Sequence, residues 1–384
     1  MDYITENGLI YKQINISNKN NLKIASFDLD HTLIKTKTGG IFPKSFDDWQ
    51  PLYGNIKDKL QELLNTDYII VIFTNQKKIP KDNIQFFCQK IVNIMTFFEI
   101  PSDKYTYYIS YLDNAYRKPM TGMFDAFMSN NFIVSIDKIN SFYCGDAAGR
   151  VYLNKKINKD FSINDLFFAR NIKLKFKYPE EIFNKRMNTF YVNDPYSEAS
   201  LKIWIMDKQS IPWNEITEFS MSPGKKMIMM IGCPASGKSS LAKLITKKYS
   251  DFKYNYFNSD LQGPKMFKLF SNSVLHESNV IIDNTNSSLI NRNKYYEVAS
   301  DYDVLIIYFD FSKELCYHLN NYRTQKNLPN EKLPKMIYNI YYKKLDLPDV
   351  NESKYGNNIK ILKITPEMIV HKIKDRSFHY FYDI

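Results

Sequence analysis

The sequence has few cysteines and histidines, and neither residue type forms a recognisable site. The four cysteines are far apart without a CxxC pair, and the five histidines do not cluster near them. A zinc site and a disulfide framework are therefore not expected. The chain has no run of about 18 apolar residues that could span a membrane, and residues 1–20 lack the pattern of a signal peptide. We expect a soluble, intracellular protein, and leave nucleus and cytoplasm both open.

Length and charge narrow the possibilities further. A chain of 384 residues suits two domains, because single domains usually hold roughly 100–200 residues. The formal net charge of +11 suits a polyanionic partner such as nucleic acid, an anionic membrane surface or a phosphorylated small molecule. An AT-rich genome with many lysine codons explains the same charge, so both interpretations stay open.

Short apolar runs alternate with segments of helical pattern, which predicts an α/β protein. Buried parallel strands are predicted at Leu22–Phe27, Tyr68–Phe73, Ser141–Cys144, Met227–Ile231, Asn279–Ile282 and Val304–Phe309. Helices are predicted at Ile56–Leu64, Ile84–Phe98 and Ser239–Lys248. We therefore predict two domains, each a parallel sheet flanked by helices. Proline, glycine and serine interrupt the pattern between residues 207 and 226, which favours domains at 1–210 and 211–384.

Polar residues follow three predicted strands of the first domain. Asp28 and Asp30 follow one strand, Thr74 the next and Asp146 a third, while Lys118 lies in a connection. Ligands bind at the carboxyl ends of strands in open α/β sheets, where these side chains would meet. Neighbouring carboxylates repel each other unless a cation lies between them. Mg²⁺ fits, because it prefers oxygen ligands and phosphate partners.

The order of these residues resembles the haloacid dehalogenase superfamily of phosphatases, whose pattern is DxDxT, Thr or Ser, Lys, and Gly-Asp. The resemblance implies that Asp28 is the nucleophile that forms an aspartyl-phosphate. It implies that Asp30 is the general acid and then the general base. Thr74 and Lys118 would hold the transferring phosphoryl group. Asp146 would complete the Mg²⁺ site with Asp28 and the backbone carbonyl of Asp30.

A complete phosphate-binding loop lies in the second predicted domain. Residues 232–239 match GxxxxGK[ST], follow an apolar strand and open a helical pattern. Backbone N–H groups of such a loop bind phosphates at a helix N-terminus. The candidate binding residues are Gly232, Ser236, Gly237, Lys238 and Ser239. In this motif Lys238 reaches the β- and γ-phosphates and Ser239 holds Mg²⁺.

Three more residues of the second domain are candidates. Asp283 follows an apolar strand and could bind Mg²⁺ or water, or simply form an Asx-turn. Asp260 follows the aromatic run 254–257 and could place a carboxylate beside the acceptor. Arg323 is on a predicted helix and could close over a triphosphate, or it could be a solvated surface charge.

Both motif sets in this order resemble the family of bifunctional polynucleotide kinase 3′-phosphatases of strand-break repair. The similarity includes 40–49, 117–123, 145–150 and 165–171 and extends from about residue 23 to 351. It implies a 3′-phosphatase joined to an ATP-dependent 5′-hydroxyl kinase, with Asp260 as the kinase general base and Asp283 and Arg323 as catalytic-site residues. It also implies nucleic-acid ends as substrate, with DNA favoured over RNA, a monomer, and a DNA ligase acting downstream.

Three features depart from the family pattern, and three alternatives stay open. His31 replaces the usual glycine, so the turn after Asp30 is expected to differ; the arginine-rich segment is reduced, leaving Arg323; and no forkhead-associated domain is expected before residue 20. The alternatives are an RNA-end healing enzyme, a small-molecule kinase/phosphatase and a catalytically inactive nucleic-acid-binding protein. Activity on DNA, RNA and mononucleotides would distinguish them.

Overall fold

The chain forms two compact units, of which a computed structural model describes residues 2–5, 7–17, 19–40, 43–76, 79, 83–194, 209–325, 333–370, 373 and 376–382. The first unit comprises Met1–Pro195 and Tyr380–Asp383, and the second comprises Tyr196–His379 with residue 384. The chain passes from the first unit to the second after residue 195. This point falls in the segment 195–208, which lies outside the described residues. The domain boundary at residue 210 that was expected from the sequence lies 15 residues after the boundary between the two units. The first unit also includes Tyr380–Asp383, at the end of the chain.

A mixed seven-stranded sheet forms the centre of the first unit. Its strands run in the order β1-β2-β7-β6-β3-β8-β10, and the five from β7 to β10 are parallel. Strands β1 and β2 add an antiparallel hairpin at one edge, and β4–β5 and β9–β11 form two small antiparallel pairs. The strands are β1 (Asp2–Ile4), β2 (Leu9–Lys12), β3 (Ile24–Phe27), β4 (Ile34–Lys35), β5 (Gln50–Pro51), β6 (Ile69–Asn75), β7 (Tyr105–Ser110), β8 (Phe142–Cys144), β9 (Arg150–Tyr152), β10 (Lys175–Lys177) and β11 (Phe190–Val192).

Helices cover both faces of this sheet. Successive side chains of a strand point to opposite faces, so Ile70 and Ile72 of β6 pack in one apolar cluster while Val71 and Phe73 pack in the other. The helices are α1 (Ile56–Asn65), α2 (Ile84–Phe97), α3 (Gly122–Asn130), α4 (Asn164–Ile172) and α5 (Pro179–Ile182). Helices α1 and α2 contribute to the first cluster, and α3 and α4 to the second. The sheet is thus buried on both sides, which explains why its central strands are continuous apolar runs.

The second unit is built on a five-stranded parallel sheet with the order β13-β14-β12-β15-β16. The strands are β12 (Lys226–Gly232), β13 (Asn255–Phe257), β14 (Val280–Asp283), β15 (Asp303–Phe309) and β16 (Ile359–Ile364). The helices are α6 (Trp213–Met221), α7 (Lys238–Lys248), α8 (Ser259–Gln262), α9 (Met266–Leu275), α10 (Leu289–Val298), α11 (Lys313–Gln325), α12 (Lys335–Lys343) and α13 (Pro366–Ile369), with 3₁₀ turns at Ser250–Phe252, Gly263–Lys265 and Arg376–His379. Central strand β12 is fully buried and carries the loop that follows it at residue 232.

The predicted α/β architecture is confirmed, with a parallel sheet in each unit flanked by helices. Each predicted strand and helix is present, with ends that move by at most two residues. The segment 207–226, predicted as a break, instead contains helix α6 among its described residues. Within the described part of the chain, every helix is too short or too polar to span a bilayer.

Candidate active sites

The first candidate site lies at the carboxyl ends of three adjacent parallel strands. Asp28 directly follows β3, Thr74 is near the end of β6, and Asp146 lies two residues after β8. The backbone N–H of Asp28 donates to the carbonyl of Cys144 (2.9 Å), so the pairing of β3 with β8 continues to this residue. The fold therefore brings together side chains that are up to 118 positions apart in the sequence.

Lys118 is the centre of a buried hydrogen-bond network. Its Nζ donates to Asp28 Oδ1, Tyr143 Oη and Asp165 Oδ1, each at 2.7 Å. An ammonium group has three N–H donors, and all three are used here. Tyr143 in turn donates to Asp165 Oδ1 (2.8 Å). The backbone of Lys118 is fixed as well, because its N–H donates to Asn75 Oδ1 (2.8 Å) and its carbonyl accepts from Asn75 Nδ2 (3.1 Å).

Three carboxylates converge beside this lysine. Oxygens of Asp28, Asp146 and Asp165 lie within 4.8 Å of one another. Burial raises the pKa of Asp28 to about 7, although Lys118 opposes the shift. Burial, with the charges of Asp165 and Asp28, also raises the pKa of Asp146 well above its usual value. One ammonium does not balance three buried carboxylates, so this oxygen-rich donor set fits a hard divalent cation such as Mg²⁺.

Asp30 lies at the rim of the same site. Its Oδ2 accepts a hydrogen bond from Gln76 Nε2 (2.6 Å), and the same nitrogen donates to Thr74 Oγ1 (3.0 Å). The ammonium of Lys90 is 3.9 Å from Asp30 Oδ1. The next residue, His31, has φ 58°, a left-handed conformation that favours glycine. His31 therefore adopts a backbone conformation that favours glycine, and the expectation that this turn differs from that of the family stays a prediction.

The second candidate site is the loop between β12 and α7. Ala235 (φ 66°) and Gly237 (φ 95°) both adopt left-handed conformations. A Cβ on Gly232 would lie 2.8 Å from Phe309 Cβ and 2.9 Å from Ser236 Oγ, so this position has no room for a side chain. Lys238 Nζ donates to the carbonyl of Cys233 (2.8 Å). Burial lowers the pKa of Lys238, with Asp283 partly opposing the shift.

A cavity of about 690 Å³ opens over this loop. Lys238, Ser239, Asp260, Asp283 and Arg323 all line this cavity, so five of the predicted residues share one space. The other three predicted residues of the loop, Gly232, Ser236 and Gly237, are not among the lining residues. The buried Oδ1 of Asp283 and Oγ of Ser236 have no hydrogen-bond partner among the described residues. Such unpaired buried oxygens, beside a lysine that donates to only one backbone carbonyl, fit a ligand that brings phosphate and a cation.

Neighbouring side chains fix the acidic residues of the cavity. Asn258 Nδ2 donates to Asp283 Oδ2 (2.9 Å), and Tyr256 Oη donates to the same oxygen. Asn258 also caps α8, because its Oδ1 accepts from the backbone N–H of Asp260 (2.8 Å). Asp260 is exposed in the first turn of that helix. The cap therefore holds the backbone of Asp260 while its carboxylate stays open to the cavity.

Comparison with known proteins assigns the family. The model for polynucleotide kinase 3 phosphatase matches residues 23–183. Over 342 residues the chain is 31% identical to the bifunctional polynucleotide phosphatase/kinase of Schizosaccharomyces pombe, covering 87% of this chain and 78% of that protein. It is 33% identical over 385 residues to a putative bifunctional polynucleotide phosphatase/kinase of Acanthamoeba polyphaga mimivirus, covering 92% and 88%. The chain belongs to the bifunctional polynucleotide phosphatase/kinase family.

The first half also matches relatives that are named for one activity alone. The polynucleotide 3′-phosphatase of Saccharomyces cerevisiae is 34% identical over 218 residues, which cover 42% of this chain and 88% of that protein. The family model, which is named for the phosphatase, matches residues 23–183, the part that contains Asp28, Lys118 and Asp146. Within the bifunctional polynucleotide phosphatase/kinase family, this chain thus carries the two sites on separate units of one polypeptide.

Sequence reasoning missed two residues of the first site, Asp165 and Tyr143. Asp165 is on α4, and its Oδ2 also accepts from the backbone N–H of Ala147 (3.0 Å). A signal for it was present at Gly145, where a Cβ would lie 2.4 Å from the Asp165 carboxylate. That glycine indicates a close neighbour but not which residue it is. Tyr143 looked like an ordinary residue of a buried strand, and only the fold brings its hydroxyl to Lys118.

Proposed function

We propose that the chain heals nucleic-acid ends, removing 3′-phosphates in domain 1–210 and phosphorylating 5′-hydroxyls with ATP in domain 211–384. The observation that carries the proposal is the pair of sites in one chain. A carboxylate-lysine centre suits phosphoryl transfer to Asp28, and a phosphate-binding loop lines a separate cavity. Relatives spanning most of the chain are named for both activities.

In the phosphatase reaction a carboxylate oxygen of Asp28 attacks the phosphorus of the 3′-phosphate. The bond from phosphorus to the 3′-oxygen breaks, and Asp30 gives that oxygen a proton, releasing the 3′-hydroxyl end. A water molecule then gives its proton to Asp30 and attacks the aspartyl-phosphate, which releases inorganic phosphate and restores Asp28. Lys118 and Thr74 hold the phosphoryl oxygens, where fixed positive charge and donors stabilise the transition state.

Asp28, Asp146 and Asp165, with the backbone carbonyl of Asp30, would hold Mg²⁺ in this centre. Bound there, the ion neutralises charge on the phosphoryl oxygens and on the carboxylates. Lys118 has a second task, because its contact with Asp28 aims one carboxylate oxygen while Asp165 and Tyr143 hold the ammonium. The resting network therefore orients the nucleophile before the substrate binds.

In the kinase reaction the loop 232–239 binds the phosphates of ATP, with Lys238 at the β- and γ-phosphates. Ser239 and Asp283 would hold Mg²⁺, which neutralises the phosphate oxygens. Asp260 accepts the proton of the 5′-hydroxyl as that oxygen attacks the γ-phosphorus, and ADP leaves. Arg323, whose Nε donates to Asn320 (3.2 Å), supplies positive charge to the cavity from α11.

The proposed substrate is a DNA strand break, processed by a monomer, with a ligase acting on the product. A phosphatase and a kinase acting on the same hydroxyl would only consume ATP. On opposite termini they produce a 3′-hydroxyl and a 5′-phosphate, which a ligase can join. The net charge of +11 supports a polyanionic substrate.

The test is a nicked duplex that carries a 3′-phosphate and a 5′-hydroxyl, given ATP, Mg²⁺, the protein and a separate ligase. Sealing should require both Asp28 and Lys238. Mixing Asp28→Asn with Lys238→Ala should restore sealing, because each variant keeps one site. Matched RNA and mononucleotide substrates should react more slowly. Equal or faster turnover of mononucleotides would contradict the proposal, as would removal of 5′-phosphates.

A further inference from the structure

The last residues of the chain belong to the first unit, although they follow the entire second unit in sequence. Tyr380–Tyr382, here called the C-terminal segment, are the last described residues and cluster with Met1–Pro195. Tyr382 is 1% exposed, so the segment is packed and not a loose terminus. The terminal residues of a chain are usually poorly ordered unless specific contacts hold them.

Asn171 of α4 makes those contacts. Its Oδ1 accepts from the backbone N–H of Phe381 (2.7 Å), and its Nδ2 donates to the carbonyl of Phe381 (2.8 Å). The same Nδ2 donates to the carbonyl of Pro119 (2.8 Å). Asn171 is only 4% exposed, so breaking this set would leave buried polar groups unpaired. One amide therefore links the C-terminal segment to the residue that follows Lys118.

Side chains add to this backbone pairing. The ring of Phe381 lies 5.3 Å from that of Phe167, and the guanidinium of Arg170 lies 5.2 Å from the Phe381 ring centre. Thr121 Oγ1 donates to Tyr380 Oη (3.2 Å). The segment thus contacts α4 on one side and, through Thr121, the start of α3 on the other.

Both contacted elements lead to the phosphatase centre. Helix α4 carries Asp165 in its first turn and Asn171 in its last. Lys118 immediately precedes Pro119, and its backbone is held on the β6 side by Asn75. Asn171, which pairs with the backbone of Phe381, also donates to the carbonyl of Pro119, so the backbone at residues 118–119 is held by Asn75 and by Asn171. Lys118 Nζ must keep its 2.7 Å contacts with Asp28 and Asp165.

We infer that the C-terminal segment is a positioning element for the phosphatase reaction, acting through Asn171 on Lys118. The inference rests on the proposed phosphatase function. The last residues of the chain support the site in the first unit, and the kinase cavity lacks any residue of this segment in its lining. A displacement of about 1 Å at a catalytic group can lower a rate about 10²-fold.

The test compares the full chain with a chain that ends at His379, and with Phe381→Ala and Phe381→Tyr. Phe161→Ala is the matched control, because that ring is fully exposed in the same unit. Truncation should lower phosphatase kcat about 10- to 100-fold, since Lys118 acts on the transition state. The KM for the oligonucleotide and the kinase kcat should stay within about twofold. Phe381→Ala should act in the same direction, whereas Phe381→Tyr and Phe161→Ala should resemble the unaltered chain.

Unfolding curves are measured for each variant, and the assays are run well below the temperature of the first unfolding transition. Partial unfolding then does not contribute to the measured rates. If the truncated chain does not fold, the comparison of Phe381→Ala with Phe381→Tyr decides. Unchanged phosphatase kcat in the folded truncated chain or in Phe381→Ala overturns the inference, and so does an equal loss of both activities. A full chain without phosphatase activity overturns the proposed function instead, and the inference with it.

Discussion

The two candidate sites each contain a buried lysine, but the surroundings of the two lysines are opposite. Lys118 donates to two carboxylates and a tyrosine. Burial would lower its pKa, but Asp165 and Asp28 raise it above the usual value. Lys238 donates to one backbone carbonyl, and burial lowers its pKa. The first lysine has its counter-charge built into the protein, whereas the second faces a cavity lined by polar groups.

This difference matches what each lysine does in the proposed reactions. The phosphatase must form a bond to Asp28, so the negative charge beside Lys118 is part of the chemistry and is always present. The kinase receives its negative charge from the nucleotide. Lys238, and the oxygens of Ser236 and Asp283 that are unpaired among the described residues, are therefore available to the nucleotide and its metal ion. The lowered pKa of Lys238 therefore fits a site whose negative charge comes from its ligand.

The largest expected effect concerns the kinase site in the second unit. Asp260→Asn should lower the kinase kcat by about 10²–10⁴-fold, the usual contribution of a general base. The KM for ATP and the stability should change little, because Asp260 is exposed and Asn258 holds its backbone. Steady-state kinetics and an unfolding curve measure these quantities. Asp251→Asn, an exposed carboxylate outside the cavity lining, is the matched control; a kcat equal to that control would remove Asp260 from the role of base.

The next effect compares the two lysines directly through Lys118→Met and Lys238→Met. Breaking a buried ion pair by removing one partner costs about 3–5 kcal/mol, so Lys118→Met should strongly destabilise the first unit. Lys238→Met removes a buried charge that has no carboxylate within hydrogen-bond reach among the described residues, so the stability of the second unit should stay equal or rise. Each variant should lose one activity. Calorimetry of the full chain would contradict the comparison if both variants lowered stability equally.

The sequence was sufficient wherever a local pattern, together with the fold class, places a residue in the site. Apolar runs located the strands because both sheets are buried on two faces, and the loop 232–239 is a continuous motif. The strand-end positions of Asp28, Thr74 and Asp146 followed from the rule that ligands bind at the carboxyl ends of parallel strands. These inferences needed only local pattern and the fold class.

The residues that were missed act over long sequence distances. Asp165 reaches Lys118 because α4 packs beside β8, and no pattern around residue 165 indicates that contact. Phe381 is 210 positions from Asn171. Helix α6 was hidden because the prolines and glycines that flank it suggested a break, although they lie at its ends. Tertiary contacts decided the cases of Asp165 and Phe381, whereas helix α6 was missed because a local pattern was misread.

The smallest expected effect distinguishes the two units by their response to acid. His318 is buried on α11 in the second unit, where its Nε2 lies 2.6 Å from the carbonyl of Phe378. Burial lowers its pKa from 6.5 to about 4. The unfolded chain binds the proton more tightly, so the stability of the second unit is complete above pH 6.5 and is lost as the pH falls towards 4. A shift of this size is worth about 3 kcal/mol across that window.

His318→Gln keeps a donor for the Phe378 carbonyl but cannot take up a proton in this range. The variant should therefore show a flatter dependence of the second unit's free energy of unfolding on pH between 6.5 and 4. His276→Gln, at an exposed position of the same unit, should keep the slope of the unaltered chain. Urea unfolding at several pH values measures all three proteins. Because the pKa of His318 depends on burial in the second unit, the transition of the first unit should have the same pH dependence in each of them. Equal slopes for the second unit in His318→Gln and the unaltered chain would show that this buried ring is not what makes that unit sensitive to acid.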